Sequence, residues 1–297
     1  GAKVFSDIIR KLPSEQVEIN VNENYQLFIK CGKAKFNIAA KPTDEFPYLP
    51  QIVKEKHVEI SQFTLKDIIR QTVFSISDNE NTKVMTGELF EITDNKLKVV
   101  SLDGHRISIR NVELNNSYDN ISVIIPGKTL IEINKILNGG VDDIVKIYFT
   151  DKHILFEFEN TVVLSRLIEG EYYKIDKMLS SDYETKITVN KKEMLDSIDR
   201  TTLLMKESEK KPVIIDIKDN SMGLAMNSSI GSMDEEIDAV KEGKDILIGF
   251  NPRFLIDALR VIDDEEITLY MINPKAPCFI RDKDESYIYL ILPVNFN

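Results

Sequence analysis

Asp103, Gly104, His105 and Arg106 follow one another between Leu102 and Ile107, and the chain holds only three histidines. A carboxylate and an imidazole this close suggest general acid–base chemistry, metal binding or a recognition turn. No Ser or Cys nucleophile stands out beside them. The other histidines, His57 and His153, lack HxxxH or HxH spacing, and no carboxylate pair has ligand spacing with them. Two readings stay open beside the catalytic one: an Asp-Gly turn linking two strands, and a loop-borne binding turn. The PGKT run at 126–129 invites a phosphate-loop reading, but that loop needs a glycine where Ser122 stands, so the run reads as a helix start. The acidic runs at 233–236 and 262–266 read as solvated surface.

Residues of these types need elements to hold them. The 297 residues suit two or three domains, and 42% apolar content is enough to build cores. Apolar runs are far shorter than the roughly 20 residues of a membrane span, and no signal sequence is evident. Cys31 and Cys278 form no CxxC. A disulfide framework is therefore not expected, and a reducing cytoplasm fits. The net charge of −11 argues, taken alone, against a nucleic-acid partner.

Three segments share one plan: residues 2–50, 126–173 and 251–297 each open with a short helix and continue in alternating strands. The stretches 58–125 and 187–250 also match each other as strand, helix, then strands. The unit is about 125 residues long, occurs twice in full, and is preceded by its second half. The expected boundaries are 1–55, 56–184 and 185–297, with about half of a first module lacking. Five helices are expected over 2–13, 61–77, 126–139, 190–206 and 251–263. Together they carry +5, leaving −16 elsewhere. Helices turned inward would give a mildly basic lining inside an acidic exterior, suited to sequence-independent contact with a phosphate backbone.

DGHRI at 103–107, EFPYLP at 45–50, LFEI at 89–92 and the terminal YLILPVNFN, set in the three-part repeat, resemble the sliding clamps of bacterial replication, the beta subunits of DNA polymerase III. The resemblance implies an α+β fold of three modules and a head-to-tail homodimeric ring with helices inside and sheets outside. It implies a processivity subunit without a catalytic site, metal or cofactor. The implied partners are duplex DNA, the replicative polymerase alpha subunit, a clamp loader, and repair polymerases bearing a Gln-Leu-Phe-type motif.

The resemblance also assigns residues. The partner-peptide pocket maps to Met85, Leu102, Gly104, His105, Arg106 and Ile107, to Tyr173 and Met178 of a connector, and to Phe254, Leu290, Leu292, Pro293 and Val294. An apolar, Met-containing groove with a few polar groups suits varied peptides. Asn295 stands where many relatives carry an arginine, and Pro277 where some carry a small polar residue. The DNA face maps to Asn79, Lys83 and Lys128, and the helix pattern adds Lys66 and Arg70; Gly127 replaces a basic residue of the family. The ring contact maps to Lys33, Lys35, Phe36 and Ile38 on one copy, facing Leu203, Leu204, Asp234, Glu235 and Glu236 on the other. Two other readings stand beside the clamp: an enzyme using Asp103 and His105, and a peptide-binding adaptor that ignores DNA.

Overall fold

A computed structural model describes residues 1–13, 16–45, 50, 52, 54, 56–179, 181–205, 211–282 and 284–296. Phe46–Leu49, the centre of the EFPYLP motif, lie outside them. The chain divides into two compact units, residues 1–51 and 52–297.

The first unit holds α1 (Ala2–Arg10) and three antiparallel strands in sequence order, β1 (Glu18–Val21), β2 (Gln26–Cys31) and β3 (Ala34–Ala39). Only Ile29 and Cys31 of this unit are fully buried hydrophobics among the described residues.

In the second unit, β4 (Val58–Ser61) runs directly into α2 (Gln62–Thr72). Next come the long hairpin strands β5 (Gly87–Leu102) and β6 (Arg106–Pro126), and β6 runs directly into α3 (Gly127–Ile136). The strands β7 (Ile144–Phe149), β8 (His153–Phe158) and β9 (Thr161–Arg166) follow. The plan then repeats. β10 (Thr185–Asn190) enters α4 (Lys191–Thr202), and β11 (Val213–Lys218), β12 (Ser221–Asn227), β13 (Ser232–Gly243) and β14 (Ile246–Phe250) lead to α5 (Pro252–Val261). The strands β15 (Glu266–Met271), β16 (Cys278–Arg281) and β17 (Tyr287–Ile291) close the chain.

Local chemistry sets the helix starts. Ser61 Oγ accepts from Thr64 N at 3.0 Å, and Asn190 Oδ1 accepts from Glu193 N at 3.0 Å. Asn251 Oδ1 accepts from Arg253 N at 3.1 Å, with Pro252 in the first turn, where its missing N–H costs nothing. Each helix is shorter than its apolar spacing suggests. Extended backbone at Leu137 and Ile262 ends α3 and α5, and α2 tightens into a 3-10 turn at Val73–Ser75. The expected helix end at 206 lies outside the described residues.

Two buried clusters follow the repeat. One gathers Leu65, Ile68 and Ile69 of α2 with Leu130 and Ile133 of α3 beneath Phe90, Ile125 and Phe156. The other gathers Met194 and Ile198 of α4 with Leu255 and Leu259 of α5 beneath Ile215, Leu224 and Ile248. A ten-stranded sheet, ordered β14-β11-β12-β13-β10-β15-β16-β17-β6-β5, joins the two halves. The joint is the β17–β6 ladder, where Leu290 faces Ile107 and Ile291 faces Arg106. A third cluster, including Leu102, Ile107, Ile109, Ile288 and Leu290, lies across this joint.

Glu88 of β5 is fully buried, and burial pushes its pKa well above the usual carboxylate range; a hydrogen bond with Thr72 partly offsets this. Thr72 Oγ1 lies 2.8 Å from Ile68 O and 3.0 Å from Glu88 Oε2. Burial outweighs this hydrogen bond and favours the neutral, protonated carboxyl. The folded protein thus keeps a proton that the unfolded chain releases above about pH 4.3. Stability therefore falls as pH rises from there towards the folded pKa. Glu88→Gln keeps the shape and an N–H donor, so it should raise the thermal midpoint at pH 7 and lose that advantage near pH 4. A midpoint difference that ignores pH would show that ionisation of Glu88 is not its cause.

Candidate functional site

Asp103, Gly104 and His105 form the turn joining β5 to β6. Gly104 has φ +90°, a conformation that favours glycine. Asp103 Oδ1 accepts from His105 N at 2.9 Å and Arg106 N at 3.1 Å, while Oδ2 accepts from Arg106 Nε at 2.9 Å. Both carboxylate oxygens are therefore occupied in holding the turn, and neither is paired with the His105 ring. That ring stacks on Phe254 of α5 with centroids 6.2 Å apart. The acid–base reading of the pair thus has no geometry behind it.

Arg106 is the pin beneath the turn, at 8% exposure. Its Nη1 donates to Asp257 Oδ2 at 2.7 Å and its Nη2 to the Phe74 carbonyl at 2.6 Å. The guanidinium lies 4.3 Å from the Phe254 ring centroid and 5.4 Å from that of Phe74. Burial works against its charge; Tyr289, Asp257 and Asp103 outweigh that, and its pKa is raised. The buried Tyr289 hydroxyl donates to the Phe254 carbonyl at 2.9 Å, tying α5 to β17.

The end of the chain lies along this turn. Leu292 N donates to His105 O at 2.9 Å, and Val294 N donates to Gly249 O at 2.8 Å. Leu292–Val294 thus bridge the hairpin tip and β14. Gly249 is required here, because a Cβ would come within 2.5 Å of the Phe296 ring and 3.0 Å of Val294 O. Beside the bridge lies a groove of about 370 Å³, lined by His105, Phe254, Leu292, Pro293 and Val294 together with Met205, Lys211, Pro212, Asn251 and Arg253.

Five of the expected pocket residues therefore meet in one groove. Others do not line it. Leu102, Ile107 and Leu290 are buried under the sheet joint, and Met85 packs partly buried against the same cluster. Gly104 shapes the turn and Arg106 holds it from below. Tyr173 and Met178 are exposed on the connector, and Tyr173 lines a different hollow of about 510 Å³ floored by Leu89, Val100 and Ile124. The division has a physical reason: sheet pleating sends alternate residues inward, so neighbours in a motif need not share a surface. Met205, Lys211 and Arg253 were not foreseen, since nothing in the local sequence links them to the hairpin tip. Asn251 carried a legible signal only as a helix cap before proline.

The expected DNA face also divides. Lys128 is exposed at the start of α3, with Nζ 3.9 Å from Glu80 in the 3-10 segment Glu80–Thr86 that contains Lys83. Asn79 caps that segment, its Oδ1 accepting from Asn81 N at 3.1 Å. Asn79, Lys83 and Lys128 thus occupy one neighbourhood. Lys66 and Arg70 instead serve the structure. Lys66 Nζ donates to Leu137 O at 2.9 Å. Arg70 donates to Val261 O at 2.9 Å and pairs with Asp67 at 2.5 Å and Asp263 at 2.7 Å, bridging α2 to the end of α5. The PGKT run is a helix start, as expected, and Gly127 is packed so that a Cβ would meet Ile76 Cδ1 at 2.2 Å.

For the expected ring contact, β3 is an edge strand with Lys33, Lys35 and Phe36 exposed and Ile38 half-buried. In β13, residues 232–238 pair with β12 and residues 239–243 with β10, so the first stretch has strand pairing on one side only among the described residues. Asp234 is exposed there. Glu235 is held by Arg200 Nε and Ser197 Oγ, each at 2.9 Å. Leu203 is exposed at the end of α4, whereas Leu204 packs against the adjacent core.

Among the described residues no group of three or more His, Cys, Asp or Glu is placed to hold a metal, and no helix is long and apolar enough to cross a membrane.

Family profiles described as the N-terminal, central and C-terminal domains of the DNA polymerase III beta subunit match residues 1–50, 59–174 and 176–295. A beta sliding clamp of Bacillus subtilis is 37% identical over 298 residues, covering 99% of this chain and 79% of that protein. One from Staphylococcus aureus is 35% identical over 295 residues, covering 98% and 78%. The crystal structure of a putative DNA polymerase III beta subunit from Eubacterium rectale, 62% identical, matches with a TM-score of 0.93 over 99% of this chain and 80% of that one. The Bacillus subtilis sliding clamp structure, 36% identical, gives 0.94 over 100% and 79%. Matched along nearly its whole length by profile, sequence and backbone alike, the chain belongs to the DNA polymerase III beta subunit family, the beta sliding clamps.

Proposed function

We propose that this chain is a DNA sliding clamp of bacterial replication, which confers processivity by encircling duplex DNA and docks partner proteins in the groove beside His105 and Leu292. Its division is 1–55, 56–184 and 185–297. It catalyses no reaction of its own; family membership, not the lack of a visible site, supports this. The groove carries the docking part of the reading: an apolar floor of Phe254, Leu292 and Val294, rimmed by polar groups, suits an inserted peptide with apolar anchors. The occupants are a Gln-Leu-Phe-type motif of the replicative polymerase alpha subunit, the clamp loader and repair polymerases, in the cytoplasm.

The ring closes between two copies, the edge of β3 from one adding to the one-sided stretch of β13 from the other. Phe36 and Ile38 face Leu203, while Lys33 and Lys35 approach Asp234. Lys128, Lys83 and Asn79 touch the phosphate backbone. The net charge of −11 does not oppose this, because a few local cations suffice for loose contact.

Topology tests the reading. Loaded by the cognate loader and ATP onto nicked circular DNA, the protein should elute with the circle and be lost once a single cut linearises it. Equal retention on both forms would mean ordinary DNA binding. Loss from both would favour the peptide-binding adaptor.

A further inference from the structure

We infer that the Asn138–Gly139 step is a site of spontaneous modification, deamidation through a cyclic imide, and that the Gln62 side chain guards it in the folded protein. It is the one Asn-Gly step in the sequence. It lies just past the end of α3, and Asn138 is exposed. Glycine has no side chain to hinder attack by its backbone nitrogen on the preceding carboxamide. In that reaction the Gly139 nitrogen bonds to Asn138 Cγ and the Cγ–Nδ2 bond breaks. The Gly139 amide proton leaves with Nδ2 as ammonia. Water then opens the ring at either carbonyl, leaving a carboxylate at position 138 in a normal or a lengthened backbone. Gly139 has φ +86°, a conformation that favours glycine, so the turn itself calls for the reactive step.

The fold ties the two reacting groups to separate partners. Gln62, 0% exposed at the start of α2, turns its amide onto the step. Its Oε1 accepts from Asn138 N at 2.8 Å and from Gly139 N at 3.3 Å, so the attacking nitrogen is held by α2. The carboxamide is held elsewhere. Asn138 Nδ2 donates at 2.9 Å to Oε1 of Glu159, in the turn between β8 and β9, and Gln62 Nε2 donates to the same oxygen at 3.2 Å. Backbone bonds from Gln62 N to Asp143 O at 2.7 Å and from Phe63 N to Gly140 O at 3.2 Å close the loop against α2. Ring closure therefore has to swing the carboxamide off Glu159 and release Gly139 N from Gln62, a local opening. The product also fits poorly. A carboxylate at position 138 would face Glu159 Oε1 where a donor now sits, just beyond a helix C-terminus whose dipole disfavours negative charge.

Peptide mapping by mass spectrometry, after the full chain is incubated in mildly alkaline buffer, tests this. Wild-type protein in guanidinium chloride should convert position 138 freely, and folded wild-type protein at least roughly tenfold more slowly. Gln62→Leu frees Gly139 N and should speed conversion of the folded protein by roughly tenfold. Glu159→Gly frees the carboxamide and should also speed it; this site is exposed, and its φ of +48° suits glycine. Arg106→Ala controls for general loosening, since Arg106 meets the chain at Phe74, beyond the opposite end of α2. It should leave the folded rate near that of wild type. Equal rates in folded and denatured wild-type protein would overturn the inference. So would folded Gln62→Leu or Glu159→Gly protein that keeps the wild-type rate, or an Arg106→Ala protein accelerated as much as they are. Should Gln62→Leu fail to fold, Glu159→Gly against Arg106→Ala decides the matter.

Discussion

Leu292→Asp should weaken binding of a Gln-Leu-Phe peptide by on the order of 100-fold, nearly 3 kcal/mol, without changing the melting temperature. Leu292 lines the groove together with Phe254 and Val294, fixed by its own N–H on the His105 carbonyl. A carboxylate at this position must lose water when a peptide covers it and finds no partner among the apolar anchors. The free protein pays little, because the side chain is 38% exposed and can turn its charge outward. The choice of residue matters. Ile107→Asp, attractive from the motif alone, would place a charge at 6% exposure inside the sheet joint and unfold that region. Fluorescence polarisation beside a thermal melt separates the two effects. A Leu292→Asp protein that binds like wild type would remove this groove from partner docking.

Arg106→Ala should cost about 3 kcal/mol of stability and abolish peptide binding together. One guanidinium gathers Asp103 from the turn, Asp257 from α5, the Phe74 carbonyl after α2 and the Phe254 face. Removing it leaves the Asp103 carboxylate, at 13% side-chain exposure, without its buried counter-charge. The better-hydrated Asp257 adds less to the cost. The turn loses its support, and with it the placement of His105 on Phe254. Arg106→Lys should recover little, since one ammonium cannot supply the same fork of donors or stack on a ring. Denaturant midpoints and peptide binding on the same three proteins check this. An Arg106→Ala protein with a wild-type midpoint would show that the pin is not Arg106.

The strand–helix units were legible because each is written locally. Ser61, Asn190 and Asn251 cap helices within three residues of themselves, and the apolar spacing of Leu130, Ile133 and Leu137 declares a buried face. The recurrence of that pattern about every 125 residues revealed the modular plan without any long-range information. Lys66 and Arg70 show the limit of the same method. Helical spacing correctly placed both away from the apolar stripe, but could not reveal that Leu137 O and the α5 end with Asp263 would meet them there.

By itself the sequence determined the family, the repeat, the helix starts and the Asp-Gly turn, all set by contacts among near neighbours or by motifs read in order. Only the tertiary structure decided which motif residues face solvent and which lie in the core. Pairing β6 to β17 buries Leu102, Ile107 and Leu290 on one side of the joint while His105 and Leu292 emerge at its end. It likewise brought Lys211 and Arg253 to the groove from separate elements. The physical reason is that a strand's two faces are chemically alike in sequence when both carry apolar residues, and the partner strand and helix that cover one of them come from more than 150 residues away.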